Sequence, residues 1–405
     1  MIRKIVIACD SFKGCLSSEE VARAAAAGVR RIIPGCIVES AAVADGGEGT
    51  SRVLTRCLGG RTIRVEVSDP LGRRITAEYG IADMETYTGS KDARIRTAII
   101  DMAQASGLTL LADDERNPLN TSTYGTGEMI LDALGKGCRR FLIGSGGSAT
   151  NDGGTGMLEA LGVRFLDMAG NEIRNCCGGK LRSIRAFDES RIEPAIKESV
   201  FTVACDVNTA FCGEEGATKI FAPQKGASDK DMEILESGMR SLNDIIREAK
   251  GMDLSQTEGA GAAGGLGGAF MAFLNAEPVR GVDLVLDSIG FDEMIKDADL
   301  VITGEGRIDS QSCRGKLING VAERAGSLDI PVLAIGGMVD PINTDDSGNE
   351  VMMHRFMAIR RIAPRPQSKS DLEHLMRPEV ASQNISDTVA KALAELFPSS
   401  CHESL

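Results

Sequence analysis

The sequence has 405 residues, more than a single hydrophobic core usually serves, so two domains are expected. Its composition, 42% hydrophobic and 25% charged, is that of a folded protein and excludes a disordered chain. The net charge of −13 argues against nucleic-acid binding, and no stretch approaches the ~20 apolar residues of a membrane span.

The eleven cysteines point to a reducing compartment. Their number is odd, none forms a CxxC pair, and Cys176 and Cys177 are adjacent, which suits neither an ordinary disulfide nor two zinc ligands. The N-terminal segment turns polar after too short an apolar run for a signal peptide. We therefore expect a cytoplasmic protein whose cysteines are free thiols. The sequence leaves the oligomeric state open, a homo-oligomer included.

The chain opens with a predicted strand, loop and helix. KIVIACD at 4–10 is a short β-branched run typical of a buried parallel strand. Ser17 and Glu20 have the spacing of a capping box, and the alanine-rich helix that follows runs to Pro34-Gly35. A second strand is expected to end at ADGGEGT, residues 44–50.

The pattern changes near residue 61. Residues 61–82 alternate apolar and polar side chains around Asp69-Pro70-Leu71-Gly72, which predicts an antiparallel hairpin, and 93–103 could pair with it. Parallel-strand character returns at 298–306, 330–337 and 355–364, and helices are expected near 370–377 and 386–396.

These elements predict an α/β protein of two domains. A Rossmann-like, doubly wound parallel-sheet domain is expected from both chain ends, 1–60 and 290–405. A mixed α+β domain, 61–289, is expected between them, with the active site in the cleft. Two consecutive domains are the alternative.

DSFKG at 10–14 is expected where a strand meets a helix N-terminus, a place that receives anions through backbone N–H groups and the helix dipole. Asp10 adds a carboxylate, Ser11 a hydroxyl and Lys13 a cation. In the alternative, Asp10 and Ser11 only shape the turn and Lys13 lies in solvent.

A second glycine-rich loop, GSGGSATNDGGTGM at 144–157, lies between a predicted strand and a helix. Its glycines allow a ligand to approach the backbone closely, and Ser148, Thr150 and Asn151 offer hydrogen bonds. The pattern GxxxxGK[ST] occurs nowhere in the chain, so a P-loop fold is disfavoured. A purely structural loop is the alternative.

GAGAAGGLGGA at 259–269 contains a formal GxGxxG at Gly259, Gly261 and Gly264. A dinucleotide site requires a strand before this motif, and the preceding segment is polar. We expect a loop that approaches phosphate or another helix closely, with NAD(P) binding as the weaker alternative.

GEGRID at 304–309 follows a predicted strand, and a Gly-Lys pair follows at 315–316. Glu305 and Asp309 could hold magnesium, while Arg307 or Lys316 could neutralise phosphate charge. A surface Arg–Asp pair is the alternative. Asp206 and Lys225 stand in similar loop-like settings.

The three histidines lie outside every glycine-rich loop, so Ser-His-Asp and Cys-His catalysis are poorly supported. The groups that remain as candidates for catalysis are carboxylates, lysines and the glycine-rich loops. This inventory suits phosphoryl transfer, in which positioning and charge neutralisation do most of the catalysis.

Taken in order, DSFKGCLSS, ADGGEGT, GGSATNDGGTGM, ACDV, FAPQKGA, GAGAAGGLG and ITGEGRIDSQS followed by GK resemble the bacterial glycerate kinases whose product is usually 2-phosphoglycerate. The resemblance covers essentially the whole chain from about residue 4. It implies a two-domain α/β kinase with ATP, magnesium and D-glycerate as reactants.

Four departures from the family pattern stand out. Cys9 and Ile318 replace prolines, and Ser312 replaces a usual threonine. The family's Asn-Pro-Leu after ACDV is here Thr209-Ala210-Phe211, which bears on local substrate contacts.

The combined assignment gives each group of residues a role. The candidate catalytic residues are Asp10, Lys13, Asp45 and Asp152, with Asp45 or Asp152 as the base. The candidate magnesium ligands are Asp206, Glu305 and Asp309. The candidate substrate and phosphate contacts are Ser11, Lys13, Gly14, Gly46, Gly47, Gly147, Ser148, Thr150, Asn151, Lys225, Arg307 and Lys316.

Three other functions stay open at this stage. The first is a kinase of another small hydroxy acid, and the second is an NAD(P)-dependent oxidoreductase using residues 259–264. The third is a ligand sensor that kept the kinase fold without its activity.

Overall fold

The computed structural model describes residues 2–41, 43, 49–85, 94–205, 209–309, 312, 317–340 and 354–398. The strands in these residues, in chain order, are β1 (Lys4–Cys9), β2 (Ile37–Ser40), β3 (Arg61–Ser68), β4 (Arg74–Glu85), β5 (Arg94–Asp101), β6 (Arg140–Gly144), β7 (Arg164–Leu166), β8 (Glu172–Ile173), β9 (Ala186–Asp188), β10 (Val200–Ala204), β11 (Glu277–Val279), β12 (Leu300–Ile308), β13 (Val332–Val339) and β14 (Ala358–Arg361).

The α-helices in the same residues are α1 (Ser18–Ile32), α2 (Thr50–Cys57), α3 (Ala103–Ser106), α4 (Tyr124–Gly135), α5 (Thr155–Ala160), α6 (Ala217–Phe221), α7 (Asp229–Lys250), α8 (Ala262–Leu274), α9 (Gly281–Ser288), α10 (Phe291–Ile295), α11 (Leu317–Ser327), α12 (Lys369–Leu375) and α13 (Pro378–Leu396).

The chain divides into two compact units. The terminal unit comprises Met1–Asp45 and Val285–Leu405, and the inserted unit comprises Gly46–Leu284. Helix α2 belongs to the inserted unit because it packs against β3, β4 and β5. The first division therefore falls near residue 45, before the sequence-based boundary at 60, and the second falls near 285 rather than 290.

The terminal unit is built on a parallel sheet in the order β14–β13–β12–β1–β2. Strand order therefore reverses where β1 lies beside β12. Ile5 and Ile7 pack into one core with α1 and α13. Val6 and Ala8, which are equally buried, point to the opposite face, on which α11 contacts β1, β12 and β13. This confirms the predicted doubly wound sheet made from both chain ends.

Helix α1 begins as its sequence predicts. Ser17 Oγ accepts a hydrogen bond from the Glu20 N–H at 3.3 Å, and Glu20 Oε2 accepts one from the Ser17 N–H at 2.8 Å. The reciprocal bonds satisfy two backbone donors that a helix N-terminus otherwise leaves open. The pKa of the Glu20 carboxyl is lowered, chiefly by the hydrogen bond from the Ser17 backbone.

The inserted unit contains a mixed sheet in the order β11–β10–β6–β5–β4–β3. The β3–β4 and β4–β5 pairs are antiparallel, and the remaining pairs are parallel. A small antiparallel sheet, β8–β7–β9, accompanies it. The expected hairpin is present, and 94–101 pairs with it as predicted.

The turn of that hairpin is held by Asp69. This side chain is buried, and its Oδ1 accepts hydrogen bonds from the N–H groups of Leu71 and Arg73, both at 2.8 Å. An aspartate that bonds to the backbone two residues later is a recurrent turn former. The turn residues identified in the sequence therefore fix the register of β3 and β4.

Candidate active site

The glycine-rich loop of the inserted unit leaves β6 at Gly144 and enters α5 at Thr155. Residues 145–148 are partly or fully exposed, whereas residues 149–157 are buried. The Ala149 N–H donates to the Ser106 carbonyl at 2.9 Å, and the Leu108 N–H donates to the Gly147 carbonyl at 2.8 Å. Only the first part of this loop, which includes Gly147 and Ser148, is thus presented to solvent.

Asp152 lies in the buried part and is fully engaged inside the protein. Its Oδ2 accepts hydrogen bonds from the Thr123 N–H and hydroxyl, both at 2.8 Å, and from the Gly156 N–H at 3.2 Å. Its Oδ1 accepts from the Gly154 N–H at 3.0 Å. Burial raises the pKa of this carboxyl, and the hydrogen bonds oppose the rise. Asp152 therefore caps the start of α5 and ties it to α4.

Lys225 lies directly beneath the loop. It is buried, and its Nζ donates to the Thr150 carbonyl at 2.6 Å and to the Ser148 hydroxyl at 2.9 Å. Burial lowers its pKa to about 7, although the charge of Asp152 acts in the opposite direction. A lysine with these properties is poised to hold an added anion, because an anion restores the charged form.

Two side-chain oxygen atoms of the loop residues 150 and 151 have no hydrogen-bond partner among the described residues. They are Thr150 Oγ1 and Asn151 Oδ1, and both side chains are completely buried. The amide nitrogen of Asn151 donates to the Thr218 hydroxyl at 3.2 Å, which orients the amide. Buried polar atoms without partners are uncommon and often mark a functional site.

The glycine-rich segment at 259–269 packs against the loop at 144–157 and does not form a dinucleotide site. The Gly153 N–H donates to the Gly264 carbonyl at 3.0 Å. Gly264 has φ +71°, and a Cβ placed there would lie 2.0 Å from the Thr150 carbonyl oxygen. A 3₁₀ turn at Leu254–Gln256, not a strand, precedes the segment. The close backbone approach predicted for 259–269 is therefore made to the loop at 150–153.

In the terminal unit, the DSFKG loop follows β1. Asp10 Oδ1 accepts from the Ser11 N–H at 2.6 Å and from its hydroxyl at 3.3 Å. Phe12 and Leu16 exchange backbone hydrogen bonds of 2.8 and 3.0 Å, which close a turn that includes Gly14, at φ +75°. Lys13 lies in this turn and is exposed.

The geometry differs here from the expected helix N-terminal site. Helix α1 starts only at Ser18, and its first turn already carries Glu19, Glu20 and the Ser17 cap. Negative charge in that turn opposes a bound anion. The first turn of α1 is therefore unsuited to an anion, and Lys13 is the cationic side chain of the DSFKG loop.

The carboxyl end of β12 carries the charged residues of the GEGRID motif. Glu305 is buried in the strand, and Asp309 follows its last residue. The Arg307 guanidinium pairs with Asp340 at 2.5 Å and lies 3.8 Å from Asp309. Its side chain is 64% exposed, so the Arg–Asp pair named as the structural alternative exists, with Asp340 as the main partner.

The ADGGEGT motif is described only at its end. The Gly49 N–H donates to Asp101 Oδ2 at 2.9 Å, and the Ser51 hydroxyl donates to the same oxygen at 2.9 Å. Asp101 thus caps α2. The predicted site residues Asp45, Gly46, Gly47, Asp206 and Lys316 lie outside the described residues.

Three supporting side chains were not identified in the sequence. Thr123 precedes α4, a common cap position, but its hydroxyl serves Asp152 and the Met157 N–H instead. Thr218 lies in a short helix of ordinary composition and gives no sequence signal. Asp101 ends a strand, as many turn residues do.

The rest of the described chain bears on the other chemistries considered. Nine cysteines within it form no disulfide bond, and burial raises the pKa of the Cys9 and Cys176 thiols, which argues against reactive thiolates. No cluster of three or more His, Cys, Asp or Glu side chains suited to a metal occurs there. Its helices include none long and apolar enough to span a membrane.

Comparison with known proteins decides among the remaining possibilities. The sequence profile described as the glycerate kinase family matches residues 5–396. The chain belongs to the glycerate kinase family. The protein is therefore a kinase with ATP as its co-substrate, and the oxidoreductase alternative is not supported.

Curated members of the glycerate kinase family match along nearly the same length. The glycerate kinase of Bacillus subtilis (strain 168) is 45% identical over 361 residues, which cover 89% of this chain and 90% of that protein. The glycerate 2-kinase of Escherichia coli (strain K12) is 45% identical over 345 residues, covering 85% and 87%.

A solved structure agrees with the fold. A crystal structure provisionally assigned as glycerate kinase 2 from Salmonella typhimurium LT2 superposes with a TM-score of 0.83 at 38% identity. The superposition covers 98% of this chain and 99% of that one. The α/β architecture is therefore shared from end to end.

Proposed function

We propose that this protein transfers the γ-phosphoryl group of ATP, as its magnesium complex, to a hydroxyl of D-glycerate, giving 2-phosphoglycerate. The observation that carries the proposal is the end-to-end match to the glycerate kinase family, which includes a relative named glycerate 2-kinase. The position of phosphorylation comes from that relative's name, so it needs its own measurement.

The loop above Lys225 supplies the chemistry that a hydroxy acid requires. Glycerate has a carboxylate and two hydroxyls. Lys225 Nζ, buried beside Ser148, offers a cation, and the Thr150 hydroxyl and Asn151 amide oxygen offer hydrogen bonds that the described protein leaves unmade. We assign these groups to substrate binding. An anion held there keeps Lys225 protonated, and the buried lysine then stabilises charge on the substrate.

Asp45 is the better candidate for the base. All four hydrogen bonds to the Asp152 carboxylate come from within the protein, so that group positions the loop and is poorly placed to take a proton from substrate. The assignment of Asp45 rests on the family resemblance of ADGGEGT, in which it is the remaining aspartate. A base that orients the acceptor hydroxyl typically contributes about 10²–10⁴-fold in rate.

We assign the magnesium ion that accompanies the nucleotide to the end of β12. Magnesium is usually held by one or two carboxylates together with phosphate oxygens and water, and Glu305 and Asp309 supply two carboxylates four residues apart. When bound, magnesium neutralises charge that builds up on the transferring phosphoryl group. Lys13, exposed in the loop after β1, would hold an anionic group of substrate or nucleotide.

The decisive experiment measures ADP release in a coupled assay with D-glycerate, L-glycerate and other small hydroxy acids. We expect turnover with D-glycerate, and phosphorus NMR should show a 2-phospho product. Turnover with another hydroxy acid only would keep the kinase and change its substrate. ADP release that no hydroxy acid stimulates would contradict the proposal and favour a sensor.

A matched pair of lysine variants tests the substrate loop. Lys225→Met removes the buried cation, and we expect a fall in kcat of roughly 10²–10³-fold. Lys219→Met, an exposed lysine on the neighbouring helix, should retain wild-type activity. Similar activities in the two variants would remove Lys225 from the site.

Cellular location and assembly stay predictions. The expectation of a reducing cytoplasm rests on the odd number of cysteines and on the lack of a CxxC pair in the sequence. Cell fractionation and sedimentation of the purified protein would decide the compartment and the oligomeric state.

A further inference from the structure

An apolar cavity lies at the carboxyl ends of the strands of the terminal sheet. Its volume is about 140 Å³. The turn after β1, the ends of β12 and β13, the segment after β14 and helices α12 and α13 form its walls. Most of the lining side chains are apolar, among them Phe12, Ile362, Pro364, Leu372, Leu375 and Met376.

The position in the fold favours a ligand. In open parallel sheets, ligands bind beyond the carboxyl ends of the strands, next to the point where strand order reverses. Here that point lies between β1 and β12, and the cavity is lined by Phe12 and Lys13 after β1 and by Gly306 of β12. The cavity is therefore located where this architecture usually places a ligand.

The size and walls favour a flat aromatic ring. A cavity of roughly 150 Å³ in another protein accommodates benzene, whereas pockets for complete small ligands run to roughly 300–1,000 Å³. Met338 and Met376 are among the residues that line this cavity, and the thioether group of methionine makes favourable contacts with aromatic rings. A cavity of this volume accommodates one apolar part of a larger ligand, and the methionine side chains favour an aromatic group.

The basic residue of the lining indicates the charge of the remaining part of the ligand. Lys13 is the basic residue of the lining and is exposed. Glycerate has no apolar surface to fill such walls, because all three of its carbons bear oxygen. A nucleoside triphosphate has both a planar base and an anionic chain.

We propose that this cavity receives the purine base of the nucleotide, with Lys13 beside the phosphate chain. The inference rests on the proposed kinase function, which supplies the nucleotide. It assigns nucleotide recognition to the terminal unit and makes helix α12, with Met376 just after it, part of the binding site. The base would be held chiefly by apolar contact, so discrimination among purines should be weak.

A pair of double variants tests this assignment. Leu372→Ala with Met376→Ala removes two walls of the cavity, and both side chains are sufficiently exposed, at 42% and 37%, for folding to tolerate the change. The matched control is Leu328→Ala with Met357→Ala, side chains of the same unit exposed at 42% and 45% and absent from the cavity lining. Calorimetric titrations use ATP and, separately, inorganic tripolyphosphate, each with equal magnesium.

We expect the cavity variant to bind ATP roughly 5- to 20-fold more weakly, because contacts with the base are lost. Its tripolyphosphate affinity and its KM for glycerate should stay at the wild-type values, and the control should match wild type throughout. Unchanged ATP affinity, equal weakening in the control, or equal weakening toward tripolyphosphate would each overturn the assignment.

Failure of the proposed function would be recognised separately. If the wild-type protein releases no ADP with glycerate but the cavity variant still loses ATP affinity selectively, the acceptor is wrong and the cavity assignment stands. If glycerate is phosphorylated normally but the cavity variant binds ATP as tightly as the wild-type protein, the proposed function stands and the cavity assignment is wrong.

Discussion

The charged loops of the two units are built in opposite ways. In the inserted unit, Asp152 and Lys225 are buried, and each makes hydrogen bonds within its own unit. In the terminal unit, Lys13 is exposed, and Arg307 pairs with Asp340 at the surface. Burial lowers the pKa of Lys225 to about 7 and raises the pKa of the Asp152 carboxyl, so the charge of Lys225 responds to an added anion. Exposure leaves the second loop able to neutralise phosphate without a large desolvation cost.

The largest expected effect separates the two aspartates of the repeated Asp-Gly-Gly motifs. Asp45→Asn should lower kcat by about 10²–10⁴-fold, because it removes the proposed base. Asp152→Asn should instead lower the free energy of unfolding by about 2–4 kcal/mol, because buried N–H groups lose their acceptor. Steady-state kinetics and urea denaturation of both variants measure the difference.

The contrast between Asp45 and Asp152 would be contradicted if the loss of kcat and the loss of stability were found in the opposite variants. A fully stable Asp152→Asn enzyme with a large loss of kcat would make Asp152 the base. Near-normal activity in both variants would remove the base assignment altogether.

The next effect concerns the contact between the two glycine-rich segments. Gly264→Ala would place a Cβ 2.0 Å from the Thr150 carbonyl oxygen at φ +71°, and we expect a loss of about 3–4 kcal/mol in the free energy of unfolding. Gly251→Ala has the same φ of +71° with no atom within 4 Å, so about 1–2 kcal/mol is expected.

Denaturation midpoints of these two alanine variants provide the measurement. Because only the backbone conformation is shared, the difference between them isolates the close approach to Thr150. Equal losses would show that the loop can yield at this contact and is not rigid.

A smaller effect follows from the buried lysine. Its pKa of about 7 lies below the ordinary value of 10.5, so above pH 7 the unfolded chain binds a proton that the native protein has released. Stability should therefore rise with pH in this window, by about 2 kcal/mol more between pH 7 and 9 in wild type than in Lys225→Met.

Urea denaturation at several pH values tests the titration of Lys225. The Lys219→Met variant, which removes an exposed lysine, should keep the wild-type pH dependence. A Lys225→Met protein with the same pH slope as wild type would mean that Lys225 stays protonated and that its burial is relieved by other groups.

The smallest effect is expected at Arg307. Its guanidinium pairs with Asp340 at the surface, and exposed ion pairs contribute little to stability. Arg307→Gln should leave the denaturation midpoint unchanged. If the side chain reaches phosphate in the complex, KM for ATP should rise roughly 5- to 10-fold, because one charge-assisted contact is lost. An unchanged KM would leave it as a surface pair.

The sequence predicted features that depend on nearby residues. The Ser17–Glu20 cap spans three positions, and the Asp69 turn spans four, so short-range chemistry determines both. The alternation of apolar and polar residues also involves neighbouring positions, and it predicted the strands of the hairpin. Even so, the boundary expected at residue 60 groups residues 50–57 with the terminal unit, whereas helix α2 packs against β4 and β5, which come later in the chain.

Contacts between distant residues could not be predicted in the same way. Lys225 was identified as a loop residue, but its partner Thr150 lies 75 positions earlier, and nothing local indicates that the lysine is buried. Asp152 was identified as a possible base, while the Thr123 hydroxyl that occupies it comes 29 positions earlier. Such hydrogen bonds depend on how distant segments pack together in the fold, and the local secondary-structure propensity of a residue does not indicate them.

The pairing of β1 with β12 sets an order of events during synthesis. The Thr303 hydroxyl donates to the Ala8 carbonyl across 295 positions of sequence. At roughly 5–20 residues per second, the ribosome makes β1 about 15–60 seconds before this partner emerges. The middle of the chain can complete its own core in that interval. Strand β1 therefore remains without this partner strand until residues 300–308 have been made.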